Sequence, residues 1–526
     1  MLSIVYEIAL TDTGLLPSLV RDYLQGHPDL NRLTTYPYSF DSFEKAIADK
    51  QTESIDRNLL SDVLKEQYAS IAPSSAVLEN IALLKSKTTF TVTAAHQPCL
   101  FLGPLYNIYK IAAAINTTLQ LKEKFPNYDF VPVFWLGSED HDVEELNHAF
   151  VSGVKVEWKE CGTGAAGKWK TDTLKAVIEE LKKVSPNTAI ISVLEEGLKD
   201  HSTFGSFMQY FVHELFKDYG LVVLNQDDAR LKKRFAAVMT DEVLNSRATH
   251  VLEPTLSYLD AHYKVQARPR EINFFYLGDD YRERIVRNET TQRLEVNNKD
   301  ISFSKAEILE EIQQHPERFS PNVILRPLYQ EIILPNLAFT GGAGELSYWL
   351  QLKPIFDFYQ VNFPLLAHRP SMAIVPASVQ KKIEKLGLTY SDFFSDTDVI
   401  INRYMQQHVS EEQSLKVEQQ KLESLFEEIL QKAEKADSTL KAAVQAEKQK
   451  AMTALQNLEN KMLKAEKRKQ ETAINQIKGV KDVLYPGQVL QERRENFIPH
   501  YNSDFISTIV QHADPFKKQF LILSEL

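Results

Sequence analysis

Two apolar runs that stop abruptly in polar residues constrain this chain more than any other feature. One leads into Thr93-Ala94-Ala95-His96-Gln97-Pro98-Cys99 and on to Gly103-Pro104-Leu105-Tyr106. The other is Phe134-Trp135-Leu136-Gly137, followed by Ser138-Glu139-Asp140-His141-Asp142. Residues 88–94 and 130–136 read as buried strands. Between them Leu105, Ile108, Ala112, Ile115 and Leu119 recur at helical spacing, with Pro104 suited to a first turn and an end near Phe125-Pro126. A strand–helix–strand unit of this kind predicts a parallel pair with a right-handed crossover. Ligands of open α/β sheets bind beyond the carboxyl ends of the strands, so the two polar segments are expected to wall one cavity.

Further strands are predicted at residues 4–8, 221–225, 273–277, 337–340 and 363–367, and helices at 173–183, 204–218 and 228–244. A chain of 526 residues calls for about three structural units. The core is predicted over residues 1–400, with insertions within about 150–340 that include small β pieces near 151–160 and 283–303. Composition shifts near Asn402, and residues 408–478 contain neither proline nor glycine. There Leu415, Leu422 and Ile429 repeat at seven, as do Val444, Ala451, Leu458 and Ala465, with Leu455 and Met462 as a second seam. Lys435-Ala436-Asp437-Ser438 offers a helix break and a new N-cap. A coiled-coil domain is therefore expected over 401–484, as two antiparallel arms rather than one unbroken helix, with residues 485–526 returning to the core. Heptad arms also predict a dimer.

A formal charge of −11 argues against a general nucleic-acid binder. Two cysteines, Cys99 and Cys161, point to a reducing compartment. Glu7 and Asp12 interrupt the first apolar stretch, and no run approaches the ~18 apolar residues of a membrane helix. A soluble cytoplasmic protein without membrane or nucleic-acid partners is expected.

Several clusters carry chemistry. His96, Gln97 and Gly103 lie in a strand-to-helix loop, where backbone N–H groups favour anions; the competing explanation is a loop that caps its own helix. Glu139, Asp140, His141 and Asp142, extended by Glu145, Asn147 and His148, suit a general base, a metal or an ammonium group. A solvated acidic helix start is the structural alternative. No separate Cys/His set completes a metal site, so no metal ligand is assigned. Gly341-Gly342-Ala343-Gly344-Glu345 is a third strand-to-helix turn. Arg326 and Arg369, each beside a proline, suit bidentate binding of carboxylate or phosphate, or structural ion pairs. Lys110 shares a helix face with Tyr106 and is placed to reach a phosphate. Gly162–Lys168 has the spacing of a phosphate-binding P-loop, but Trp169 stands where Ser or Thr is required, and a flexible loop is the simpler expectation. Cys99 reads as structural rather than nucleophilic.

Gly103-Pro104-Leu105-Tyr106 with Ile108-Tyr109-Lys110, the Glu139–His148 cluster, Leu325-Arg326-Pro327, Gly341–Glu345, Tyr348–Pro354, Pro486-Gly487 and Leu490–Arg493 occur in an order that resembles the cysteine ligases of bacillithiol biosynthesis. Those proteins add cysteine to glucosaminyl-malate. The resemblance spans nearly the whole chain and implies a Rossmann-like parallel sheet core with inserted connecting segments, plus a long antiparallel α-helical coiled coil that supports a homodimer. It implies cysteine and glucosaminyl-malate as substrates, and ATP or another nucleotide to activate the carboxyl group. On this basis Asp140, His141 and His96 are the catalytic candidates. Gln97, Gly103, Lys110, Glu139, Asp142, His148, Arg326, Gly342, Gly344, Glu345 and Arg369 are the candidates for binding substrate or nucleotide. The chain departs from the family at Ala94-Ala95-His96-Gln97, where Thr-Gly-Gln-Gln is frequent, and Cys99 replaces a common glycine. The His-x-Gly-His and Lys-Met-Ser-Lys-Ser loops of class I synthetases are absent. A ligase with another amine acceptor, a non-catalytic coiled-coil scaffold and a metal-dependent hydrolase are the competing classes.

Overall fold

The computed structural model describes residues 2–408, 415–469 and 471–525; residues 409–414 and 470 of the heptad segment lie outside them. The chain divides into two compact units, Met1–Ile374 with Val489–Leu526, and Val375–Gln488. The second unit starts before the composition shift near Asn402, because it opens with amphipathic helices, Ala377–Leu386 and Thr397–His408, that carry no heptad pattern.

A five-stranded sheet forms the centre of the first unit. Its strands are β1 (Thr89–His96), β2 (Asp129–Leu136), β3 (Val222–Asn225), β4 (Asn336–Gly341) and β5 (Leu365–His368), in spatial order β5-β4-β1-β2-β3 and all parallel. This is the doubly wound Rossmann order, and it reverses direction between β1 and β4. The strands are buried along nearly their whole length, as a parallel sheet covered on both faces requires. Buried polar groups at their centre are paired: the Thr91 and Thr93 hydroxyls donate to Asn336 Oδ1 at 3.2 and 2.8 Å.

Helix α1 (Tyr106–Lys124) follows β1, and α2 (Ala343–Tyr359) follows β4. The first half of α1 is buried almost all round, whereas Leu119, expected on the apolar stripe, is exposed. The β2–β3 connection carries a hairpin, His148–Val151 with Val154–Glu157, and the helices Leu174–Val184, Thr188–Asp200 and Phe204–Phe216. The β3–β4 connection carries a separate antiparallel sheet built from Phe274–Leu277, Arg282–Arg287, Leu294–Val296, Ser302–Phe303 and Phe319–Pro321. The strand predicted at 273–277 thus belongs to an insertion rather than to the central sheet. Leu2–Ala9 pairs antiparallel with Gln519–Glu525, near the other end of the chain.

In the second unit, α3 (Lys416–Ala436) and α4 (Lys441–Lys469) form an antiparallel hairpin. Gln419 donates to Glu459 at 3.0 Å, Lys448 lies 3.1 Å from Glu423, and Lys441 lies 2.9 Å from Glu434, so partner numbers fall as position rises. The break falls at Asp437, whose carboxylate accepts from Thr439 N. Leu415 at the start of α3, Leu422, Phe426, Leu430 and Ala433 along it, and Val444, Ala451, Met452, Leu455 and Met462 on α4 are half-buried, while Ile429, Leu458 and Ala465 are exposed. A helix of 3.6 residues per turn drifts off a strict seven-residue count, which moves the seam to neighbouring positions.

Candidate functional site

A cavity of about 870 Å³ lies at the carboxyl ends of the central strands. Ala95, His96 and Gln97 enter it from β1, Gly137 and Asp140 from the end of β2, Gln226 from beyond β3, Gly342, Gly344 and Glu345 from the start of α2, and Arg369 from beyond β5. Its place between β1 and β4 is the switch point of the sheet, where crevices open in doubly wound folds. The polar segments at the ends of β1 and β2 therefore face one space, through His96 and Gln97 and through Gly137 and Asp140. The inserted sheet supplies the remaining wall through Phe275, Arg282, Pro321 and Asn322.

The cavity is strongly cationic. Arg268, Arg270, Arg282, Arg326, Arg369 and Arg493 line it, against the carboxylates Asp140 and Glu345. Arg369 is buried and held by Glu492 at 2.8 Å, so it is a fixed wall. Arg268 is paired with Asp260 at 2.6 Å. Arg282 lies 3.9 Å from the Phe275 ring centroid and donates to Ser320 Oγ and Pro321 O at 3.0 and 3.2 Å. Arg326, at the first position of the helix Arg326–Ile333, donates to Gln330 Oε1 at 3.0 Å. Arg270, Arg282, Arg326 and Arg493 have no anionic partner at ion-pair distance among the described residues. They are the cations available to an anionic ligand.

The imidazoles stay neutral near pH 7. Burial, reinforced by Lys110, lowers His96 to about 3. Its Nε2 lies 3.1 Å from Tyr106 OH and its Nδ1 3.1 Å from Gln97 O, so the ring is a polar wall rather than a proton carrier. Burial and the adjacent Arg282 lower His141. Its Nδ1 accepts from Arg282 at 3.2 Å, and it does not line the cavity. Asp140 does line it, with Oδ1 accepting from His141 N at 2.7 Å and Asp142 N at 3.3 Å. Burial pushes the Cys99 thiol far up, consistent with a structural cysteine.

Besides His141, five candidates fall elsewhere. Glu139 is buried against Lys232, an internal ion pair that removes it from the cavity. Lys110 is buried, donates to Ala95 O at 3.0 Å and pairs with Glu345 at 2.8 Å, so it cannot reach a phosphate. What it does is hold Glu345 ionised: burial pushes that carboxyl up, and the Lys110 ammonium brings it below its ordinary value. Asp142 caps the short helix Val143–Leu146. His148 lines a smaller neighbouring cavity. Gly103 is buried, and its role is conformational. Phe101, Leu102 and Gly103 all have positive φ, and Gly103 combines φ 64° with ψ −148°, a region open essentially to glycine alone. Asn496 Nδ2 donates to the carbonyls of Phe101 and Gly103 at 3.0 and 2.6 Å, and Asn107 Nδ2 to Leu102 O at 2.8 Å. The loop is thus clamped from outside.

The Gly162–Lys168 segment is neither a phosphate loop nor flexible. Ala166 N donates to Asp140 O and Gly167 N to Ser138 O, each at 2.7 Å, and a Cβ on Gly167 would meet Ser138 Cβ at 2.6 Å. It buttresses the end of β2. Sequence reasoning missed Arg268, Arg270, Arg282 and Arg493. A signal for the first two existed: Arg268-Pro269-Arg270 repeats the arginine–proline pairing noted at Arg326 and Arg369. Among the described residues no group of three or more His, Cys, Asp or Glu is arranged to hold a metal ion. No described helix is long and apolar enough to cross a membrane.

Residues 4–370 match the family model described as bacillithiol biosynthesis BshC, N-terminal Rossmann-like domain, and residues 372–525 match its C-terminal coiled-coil domain. Relatives named "Putative cysteine ligase BshC" include one from Flavobacterium johnsoniae, 36% identical with 98% of this chain and 99% of the relative covered. Another, from Flavobacterium psychrophilum, is 37% identical over 98% of each chain, and one from Cytophaga hutchinsonii is 37% identical over 97% of each.

Proposed function

The chain belongs to the BshC family of bacillithiol biosynthesis, and from that premise we propose that it joins the carboxyl group of cysteine to the amine of glucosaminyl-malate in an amide bond, driven by ATP or another nucleotide. The arginine-rich cavity at the switch point of the sheet carries this proposal. Malate brings two carboxylates and a nucleotide brings phosphates, and both need cations that no protein carboxylate neutralises. Arg282, Arg326 and Arg270 meet that need. Bidentate pairing with a guanidinium gives both strength and orientation. Arg326, rather than the Glu492-bound Arg369, is the better malate clamp. A volume of about 870 Å³ lies within the range of small-molecule sites. A scaffold without chemistry would have no use for unpaired arginines in such a space.

Activation joins a cysteine carboxylate oxygen to a phosphorus atom of the nucleotide, with pyrophosphate or ADP departing. The neutral sugar amine attacks the acyl carbon, the C–O bond to the nucleotidyl or phosphoryl group breaks, and the amine proton passes to Asp140. His141 acts from behind, as an acceptor that orients Arg282. His96 and Gln97 line the floor. Homodimerisation through the helical arms belongs to the same proposal. Val417, Leu425 and Leu458 are about half exposed there, apolar area that a second copy would cover.

Incubation with cysteine, glucosaminyl-malate and ATP, with mass detection of the thiol product and of the leaving group, tests the assignment. Product formation that falls at least tenfold in Arg326→Ala is expected. A protein that neither binds glucosaminyl-malate nor consumes nucleotide in its presence refutes it.

A further inference from the structure

A second cavity of about 370 Å³ adjoins the first and shares His96, Gln97, Tyr106 and Arg493 with it. Its lining carries charges of both signs. Glu145 is the acid; its Oε2 accepts from Gln97 Nε2 at 3.1 Å, and it has no cationic partner at ion-pair distance among the described residues. Burial, with Asp142 and Asp140 nearby, raises its carboxyl above the ordinary value, as expected of an acid that lacks a countercharge. Arg493 belongs to the wall shared by both cavities and has no anionic partner among the described residues. Arg494 also lines the smaller cavity, but it is committed to the Phe150 ring, 3.8 Å away. The rest of the lining that it does not share with the larger cavity is mostly apolar, Cys99, Pro104, Ala149, Phe150 and Val489, with His148 as the polar exception.

A carboxylate and a guanidinium, each without a countercharge at ion-pair distance among the described residues and facing one space, complement a zwitterion. We propose that the smaller cavity is the subsite for the free α-amino acid, with its ammonium at Glu145, its carboxylate at Arg493 and its short side chain against Ala149 and Phe150. Because Arg493 is common to both cavities, the carboxylate to be activated sits where they meet, facing the nucleotide and the amine. The apolar lining residues admit a thiol or methyl group and disfavour a charged side chain, which would be desolvated without a partner. The assignment rests on the proposed cysteine-adding reaction and adds where the amino acid sits.

Equilibrium binding of L-cysteine under reducing conditions tests it, alongside cysteine methyl ester, which lacks the carboxylate, and 3-mercaptopropionate, which lacks the amine. Wild-type protein should bind cysteine at least tenfold more tightly than either analogue. Glu145→Gln should weaken cysteine at least tenfold yet leave 3-mercaptopropionate unchanged; Arg493→Gln should weaken cysteine and leave the methyl ester unchanged. Glucosaminyl-malate binding to Glu145→Gln, measured in parallel, reports that the protein is folded and should stay within twofold. If wild-type protein binds glucosaminyl-malate but no amino acid, the cysteine-adding reaction and the subsite fall together. If wild-type protein binds cysteine and both variants bind it equally well, the subsite alone is overturned.

Discussion

Replacing Glu139 with alanine separates a structural acid from a catalytic one. The Glu139 and Lys232 side chains are essentially inaccessible, and each is the other's nearest opposite charge. Removing one member of a buried pair costs about 3–5 kcal/mol, because the survivor keeps its desolvation penalty and loses its compensation. Lys232 retains two lesser contacts, Glu317 O at 2.9 Å and Asp227 at 3.7 Å, which puts the expected loss near the lower end, about 3 kcal/mol. Urea unfolding followed by tryptophan fluorescence measures it cleanly. The four tryptophans, Trp135, Trp158, Trp169 and Trp349, are all buried in the first unit, so the signal reports that unit alone. The double variant Glu139→Leu, Lys232→Met removes both charges at similar volume and should recover to within about 1 kcal/mol of wild type. A loss below about 1 kcal/mol for Glu139→Ala, with Lys232 in place, would refute the assignment of Glu139 to a buried pair.

Burial raises Glu331 to about 7 despite Lys50 nearby, so its carboxyl is protonated in the fold over a range where the unfolded chain is ionised. Stability should therefore fall as pH rises from about 4.5 to 7, by on the order of 3 kcal/mol, and Glu331→Gln should flatten that slope; equal slopes in the two proteins would contradict it. Asn496→Ala leaves the buried carbonyls of Phe101 and Gly103 without donors and should cost about 2–3 kcal/mol, with faster proteolytic cleavage between residues 97 and 105. Light scattering should give twice 60.2 kDa for the intact chain, and a single-copy mass at micromolar concentration would remove the dimer.

The parallel core was readable in the sequence because its strands are continuous buried runs, and two of them, Thr89–His96 and Asn336–Gly341, are followed within about ten residues by a long helix. The cavity was readable from strand ends alone, since chain direction in such sheets dictates where ligands enter. What could not be read was partner choice. Glu139 and Asp140 are adjacent and chemically alike, yet one faces Lys232 and the other the cavity, a difference set by a lysine almost a hundred residues away. Lys110 kept its predicted helix face but met Glu345 there instead of a ligand. The arginines of the inserted sheet sit in segments where neither strand nor helix periodicity marks an approach to the site. In the arms the hairpin was readable from the break at Asp437, and Leu415, Leu422, Val444, Ala451, Leu455 and Met462 keep to the seam, while Ile429, Leu458 and Ala465 leave it where straight helix geometry prevails.

The clamp on the Phe101–Gly103 loop, the Arg369 partner Glu492 and the shared-wall Arg493 all come from residues that follow the helical unit. A ribosome making this chain finishes every strand of the central sheet and then spends about 120 more codons before those residues appear, roughly 6–24 s at usual elongation rates. Prematurely terminated polypeptides that stop inside the arms would therefore own a sheet but no finished pocket. The order of synthesis itself therefore withholds the cavity walls until the last residues are added.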